Sequence, residues 1–456
     1  MIKEWIKLGE ALLDEKKLLK EFLFLPSGKR TPLFSAFFRQ LTSVKNYDEL
    51  MKLVTKRKYV KNKKRCSICE KEIAARPLSK YIFPFVIDAQ KFPNLYPSAS
   101  PKNKFYICEY CCNKLLSAYA GIFWYADWAN GRFLGLLLYS DNKDLLKTFL
   151  KPILCDRTII ESGNISNISF LNKLRGVDKI SFRFSYPYEF TFKILYEIVK
   201  KLQLLEADKN IKEFFDTLKL FIFRIENAFK TKSVTTELNA LFIGSEFLKF
   251  MLEIINIDEK KEEKGKLSFS QQLYLYTRKY ETGGEKNPQA DLIYREKFFK
   301  CVIKKTKIPP ELLEELLVYN LSKSESKNKP KGYKNIFARI IFRFLKLYYN
   351  YISMEEREML EIAEKEGWRM GTELKKIEDS TKKVVAYIYE LRRCRSPTDF
   401  MECLNSLQLR AGYKFSKDFM ELTKEKRDNF KSWKTYFLIG MANSIVGREE
   451  EGENEK

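Results

Sequence analysis

The chain has 456 residues, 45% of them hydrophobic, 14% aromatic and 32% charged, which excludes wholesale disorder and allows two to four domains with proper cores. Its 84 Lys and Arg against 60 Asp and Glu leave a net charge of +24, a balance that favours a polyanionic partner, nucleic acid first and an acidic membrane surface second. There is no histidine, which excludes Ser-His-Asp triads, Cys-His dyads, HD-type phosphohydrolases, HNH nucleases and HExxH proteases; GxxxxGK[ST], GxGxxG and GxSxG motifs are missing too, so the sequence leans toward binding and not chemistry.

Residues 1–60 read mainly as helix, with Trp5, Leu8, Leu12 and Leu13 on one face and a break from Leu25 to Gly28. A second helical piece, Pro32 to Leu41, carries Phe34, Phe37 and Phe38 at a spacing that suits a core better than base stacking. Then comes a basic run of Lys52, Lys56, Arg57, Lys58, Lys61, Lys63, Lys64 and Arg65, with no acid among residues 51–65. Such a run is ordinarily a solvated face. This one directly precedes a rigid feature that would hold its charges in place to grip phosphates.

That feature is a pair of CxxC motifs, Cys66 with Cys69 and Cys108 with Cys111, separated by 38 residues. Each CxxC turn aims two sulfurs at one point, and two turns supply the four thiolates that tetrahedral zinc prefers. The spacer exceeds the roughly 15–20 residues of compact zinc ribbons, so it is expected to be a substructure of its own. The plainer reading is two half-buried cysteine pairs that never meet, and the spacing also allows a four-cysteine iron–sulfur cluster. Zinc is preferred, with the adjacent Cys112 left out. Four protein ligands leave no open position, so the metal is expected to be structural.

Within the spacer, Tyr81 to Ile87 is strand-like and Phe92 to Pro101 is a proline-rich loop. The loop from Phe92 to Lys104, with Lys102 and Lys104, either covers the metal or enters a nucleic-acid groove. Leu115 to Ala129 reads as an aromatic helix, Arg132 to Tyr139 as a strand, and Lys179 to Tyr186 as a half-buried strand. From Phe190 the pattern reads as helical: Phe192 to Leu205, Ile211 to Phe229, and Val234 to Ile255. Asp258 to Lys266, Thr282 to Pro288 and Ser322 to Lys334 are linker candidates around a short amphipathic element, Leu267 to Tyr280.

The C-terminal third reads as an antiparallel helical bundle of pieces Ile336–Ser353, Glu355–Trp368, Gly371–Arg393, Pro397–Leu409, Asp418–Thr423 and Lys424–Ile445. Arg339, Arg343 and Lys346 form a basic stripe at helical spacing; Lys375, Lys376, Lys382, Lys383, Arg392, Arg393 and Arg395 form a second cluster. Both are either water-facing charge or contacts to nucleic-acid backbone. The fold class expected is therefore α+β, mostly helical. A mixed N-terminal domain over residues 1–255 contains a four-cysteine zinc insertion at about 60–115. A linker and helical connection over 256–334 leads to a helical bundle over 335–447 and a disordered acidic tail over 448–456. No stretch of about 18 apolar residues is free of charge, so no membrane association and a cytoplasmic location are expected.

The order of these parts resembles one family. Two CxxC pairs in an insertion, Phe83-Pro84 and Phe92-Pro93 between them, an aromatic helix after the second pair and a long basic helical end are similar to the zinc-binding large subunit of a type I CRISPR interference complex (Cascade), in its Cst or type I-B branch. The resemblance is architectural. It implies a non-enzymatic subunit that recognises the short flanking motif (PAM) in target double-stranded DNA, contacts the 5′ handle of the CRISPR RNA, stabilises the R-loop and recruits a helicase-nuclease. The implied partners also include the backbone, handle-binding and small subunits. Cys66, Cys69, Cys108 and Cys111 match the family's zinc ligands. Two other readings are a histidine-free, magnesium-dependent nuclease and a stand-alone zinc-binding nucleic-acid-binding protein.

Overall fold

In the computed structural model the described residues are 2–11, 20, 23–24, 27–28, 30, 34, 44–55, 65–70, 76–77, 106–127, 132–154, 186–203, 208–226, 234–260, 268–277, 288–325, 336–378 and 381–446. They fall into two units, Met1–Leu248 and Lys249–Lys456.

The first unit begins with helices α1 (Ile2–Ala11) and α2 (Tyr47–Thr55). Asn46 caps α2, its Oδ1 accepting from the Glu49 amide at 2.9 Å, which satisfies an amide that the first turn leaves open, while the Glu49 carboxylate accepts from the Lys45 amide just before the cap at 2.7 Å. Two short strands, β1 (Arg76–Pro77) and β2 (Tyr106–Ile107), pair antiparallel. Helix α3 (Glu109–Ser117) and a 3₁₀ turn (Ala118–Gly121) lead into β3 (Ile122–Asp127) and β4 (Arg132–Tyr139). Then follow α4 (Lys143–Leu154), α5 (Pro187–Gln203), α6 (Asp208–Thr217), β5 (Lys219–Glu226) and β6 (Val234–Phe242), and α7 (Ser245–Lys260) begins in this unit and continues in the second.

Strands β3 to β6 form one antiparallel sheet in sequential order. Trp124, Gly135 and Phe223 lie in register across three strands. A Cβ on Gly135 would sit 2.1 Å from the Phe223 ring; without it, Phe223 reaches Trp124 edge-on at 5.3 Å, a favourable aromatic geometry.

This sheet corrects three expectations. The aromatic helix expected over Leu115 to Ala129 is, as far as Asp127, the end of α3, the 3₁₀ turn and strand β3. The helices expected over Ile211 to Phe229 and Val234 to Ile255 are interrupted by β5 and β6, so the mixed region runs on to Phe242. The cause is burial. Strands β4 and β5 lie inside the sheet and are buried almost throughout, so their sequences are continuous apolar runs in which strand and helix periods cannot be told apart. The strand at Arg132 to Tyr139 and the helix from Phe192 are as expected, whereas the strands expected at Tyr81 to Ile87 and Lys179 to Ser185, the helix at Pro32 to Leu41 apart from Phe34, and the tail lie outside the described residues.

The second unit contains α8 (Phe269–Tyr276), α9 (Pro288–Lys304), α10 (Pro310–Glu325), α11 (Phe337–Ile352), α12 (Met354–Glu378), α13 (Thr381–Arg393), α14 (Pro397–Ala411), α15 (Lys417–Glu425) and α16 (Phe430–Val446). Helix α16 is its centre: Trp433, Tyr436, Phe437 and Ile439 are fully buried, and Phe400 of α14 meets Trp433 edge-on at 5.5 Å and Phe437 at 5.7 Å. The break expected between Trp368 and Gly371 does not occur, because α12 runs through both. Glycines on both α12 and α16 serve proximity: a Cβ on Gly367 of α12 would lie 2.0 Å from the Phe437 carbonyl oxygen, and one on Gly440 of α16 would lie 2.0 Å from that of Glu364. The helix expected from Lys424 starts at Phe430, after a 3₁₀ turn over Arg427–Asn429.

Candidate metal centre

The two CxxC motifs meet. The sulfurs of Cys66, Cys69, Cys108 and Cys111 all lie within 4.8 Å of one another, and none is in a disulfide. Cys69 Sγ and Cys108 Sγ are 3.8 Å apart; a regular tetrahedron with Zn–S bonds of about 2.3 Å has edges of about 3.8 Å. Cys66, Cys108 and Cys111 are buried and Cys69 is half-buried.

Local structure explains the convergence. The Cys66 carbonyl accepts from the Glu70 amide at 2.9 Å, closing a turn that Glu70 leaves in the left-handed region at φ 60°. The Ser67 amide donates to the Tyr106 carbonyl at 2.8 Å and the Tyr106 amide to Ser67 Oγ at 3.3 Å. The first motif is thus fastened to β2, which leads directly into the second. Cys108 is the N-cap of α3, in an extended conformation, and its Sγ accepts from the Cys111 amide at 3.4 Å. The Cys108 amide in turn donates to Cys66 Sγ at 3.4 Å.

Burial pushes the Cys111 thiol well above its ordinary range, reinforced by the neighbouring Cys108 and Cys66. Four thiols packed so closely ionise together only around a cation. The residues present therefore fit a metal ion held by four sulfurs. Cys112, also fully buried, is not among the four converging residues.

The centre is fixed from behind by α1. Gly9 packs against the backbone of α3 so closely that a Cβ would lie 1.6 Å from the Lys114 carbonyl oxygen. Lys114, mostly buried, pairs with Glu10 at 3.2 Å and lies 4.0 Å from the centre of the Tyr110 ring. On the same helix, Lys7 pairs with Asp141 at 3.1 Å; Asp141 also pairs with Lys219 of β5 at 2.8 Å and accepts from the Tyr139 hydroxyl at 2.6 Å. Lys219, Tyr139 and Lys7 together hold the Asp141 carboxyl well below the usual carboxylate range. Helix α1 thus links the cysteine helix to the sheet. Sequence reasoning did not find this linkage, since Gly9 and Asp141 carry no motif.

The basic residues divide into three groups. Lys56, Arg57, Lys58, Lys61, Lys63, Lys64, Lys102 and Lys104 lie outside the described residues, and Arg65 is exposed beside Cys66. Several others are engaged within the second unit: Lys346 pairs with Glu361 at 3.1 Å, Lys383 with Glu378 at 2.7 Å, and Arg392 with Glu315 at 2.5 Å. Arg343 lies over the Phe269 ring at 5.6 Å and, like Arg339, is half-buried. Lys382 and Arg393 are exposed.

Fold and site together define an α+β protein, mostly helical, with a four-cysteine cluster able to hold a metal ion. No family model matches the chain, and no curated protein matches it. Among the described residues no helix is long and apolar enough to cross a membrane.

Proposed function

We propose that the chain is a non-enzymatic, zinc-stabilised nucleic-acid-binding subunit, the large subunit of a type I CRISPR RNA-guided interference complex. The observation that carries this reading is the convergence of Cys66, Cys69, Cys108 and Cys111 on one point immediately after a basic run that ends at Arg65. A closed four-sulfur centre organises the chain without offering a reactive position, and the charge beside it favours phosphate. The net charge of +24 and the absence of histidine agree with a protein that holds a polyanion and leaves its degradation to a partner.

Affinity purification of the chain from its native cells, with mass spectrometry of proteins and sequencing of bound RNA, tests the assignment. Recovery of backbone subunits with short repeat-derived RNA is expected. Recovery of the chain alone, or cleavage of DNA by the pure chain with magnesium, would overturn it.

A further inference from the structure

A second cysteine pair lies far along the sequence from the metal centre. Cys394 follows the end of α13, and Cys403 lies on the second turn of α14. Their sulfurs are 3.6 Å apart, with the Cys394 thiol placed to donate to Cys403 and, at 3.9 Å, to the Glu390 carbonyl. They are in van der Waals contact and need to close by only about 1.5 Å to bond.

The surrounding structure holds both residues in place. Ser396 Oγ caps α14 by accepting from the Asp399 amide at 3.1 Å. Pro397 follows in the first turn. Lys434 Nζ donates to the Arg392 carbonyl at 3.1 Å and the Cys394 carbonyl at 3.4 Å, tying the connecting turn to α16. Phe400, between the two cysteines in sequence, is anchored on Phe430 and Trp433. Cys394 is at the edge of burial and Cys403 is half-buried, so a small reagent meets Cys403 first.

We infer that Cys394 and Cys403 form a reversible dithiol–disulfide site, oxidised by a low-molecular-weight disulfide of the glutathione class. The Cys403 thiolate attacks one sulfur of the reagent, forming a mixed disulfide and releasing one reduced thiol. Cys394 then loses its proton and attacks the Cys403 sulfur, expelling the second reduced thiol. Two protein thiols are oxidised, one reagent disulfide is reduced to two thiols, and no other oxidant is needed. In the reduced pair, burial and the Cys403 thiol raise the Cys394 thiol to about 12; the burial part persists in the mixed disulfide and slows the second step. The bond would staple the turn that carries Arg392, Arg393 and Arg395.

The test treats the full-length, metal-loaded chain with oxidised glutathione and maps its tryptic peptides by mass spectrometry. The expected product joins the peptide ending at Arg395 to the one ending at Arg410 with loss of two hydrogens, and dithiothreitol reverses it. Cys394→Ser is expected to stop at one glutathione on Cys403. Two results would overturn the inference: glutathione held on Cys403 in the unsubstituted chain, or both thiols persisting while a denatured control is oxidised.

Discussion

Single residues in this protein act through the space they leave empty. In an exposed helix, Gly→Ala stabilises by about 1 kcal/mol. At Gly367 the sign reverses, because the added methyl would lie 2.0 Å from the Phe437 carbonyl oxygen and backbone cannot swing aside. Overpacking of this kind costs about 1–3 kcal/mol, so Gly367→Ala is expected to lower the urea midpoint of the chain. Asp141 contributes in another way. Its carboxyl titrates below the ordinary value because of Lys219, Tyr139 and Lys7, so its stabilisation is complete above the ordinary carboxylate pKa and is lost as pH falls through the lowered one. The group is 58% exposed, which limits the effect to less than about 1 kcal/mol. Asp141→Asn is expected to unfold more easily than the parent at neutral pH, with the two chains converging in acid below about pH 4.

At the scale of elements, α3 is where the four-cysteine cluster and the sheet meet: Cys108 caps it, Cys111 lies in its first turn, and only the 3₁₀ turn separates it from β3. Stripping metal from the chain with a chelator is expected to expose residues 66–117 to protease and to lower the thermal midpoint of the first unit. Cys66→Ser should reproduce that result, whereas Cys112→Ser should retain one tightly bound metal per chain by elemental analysis. The CxxC motifs were legible in sequence because a fixed spacing of soft ligands needs no tertiary context. The strands β5 and β6 were not. Lys219-Leu-Phe-Ile-Phe-Arg-Ile-Glu226 lies inside the sheet and has apolar residues facing both ways, and Thr217 ends α6 without glycine or proline, its hydroxyl bonding back to the Glu213 and Phe214 carbonyls. Gly371 misled in the opposite sense, since its local signal of a helix end was outweighed by close packing against Met441 and Ser444.

At the scale of the whole molecule, a net charge of +24 does not make every cation a contact. Arg392 is bound to Glu315 and lies near Glu314, so Arg392→Ala is expected to lower stability by about 1 kcal/mol, whatever it does to binding. Lys382 and Arg393 are exposed, and on the proposed function their replacement by alanine is expected to weaken nucleic-acid binding uniformly across sequences, each reducing the slope of log affinity against log salt by about 1. Melting curves and salt titrations of the same variants separate the two roles.

The four-cysteine centre also governs how freely the sequence within it can change. It closes a span of 38 residues between Cys69 and Cys108, and the entropy cost of closing a span of chain grows only logarithmically with its length. Doubling that spacer would cost about 0.6 kcal/mol, little beside the free energy of roughly 10–16 kcal/mol with which structural zinc sites bind. The clasp can therefore accept an interchangeable insert, so that a different surface could be grafted between the two motifs while α3 and the sheet behind it keep their anchorage.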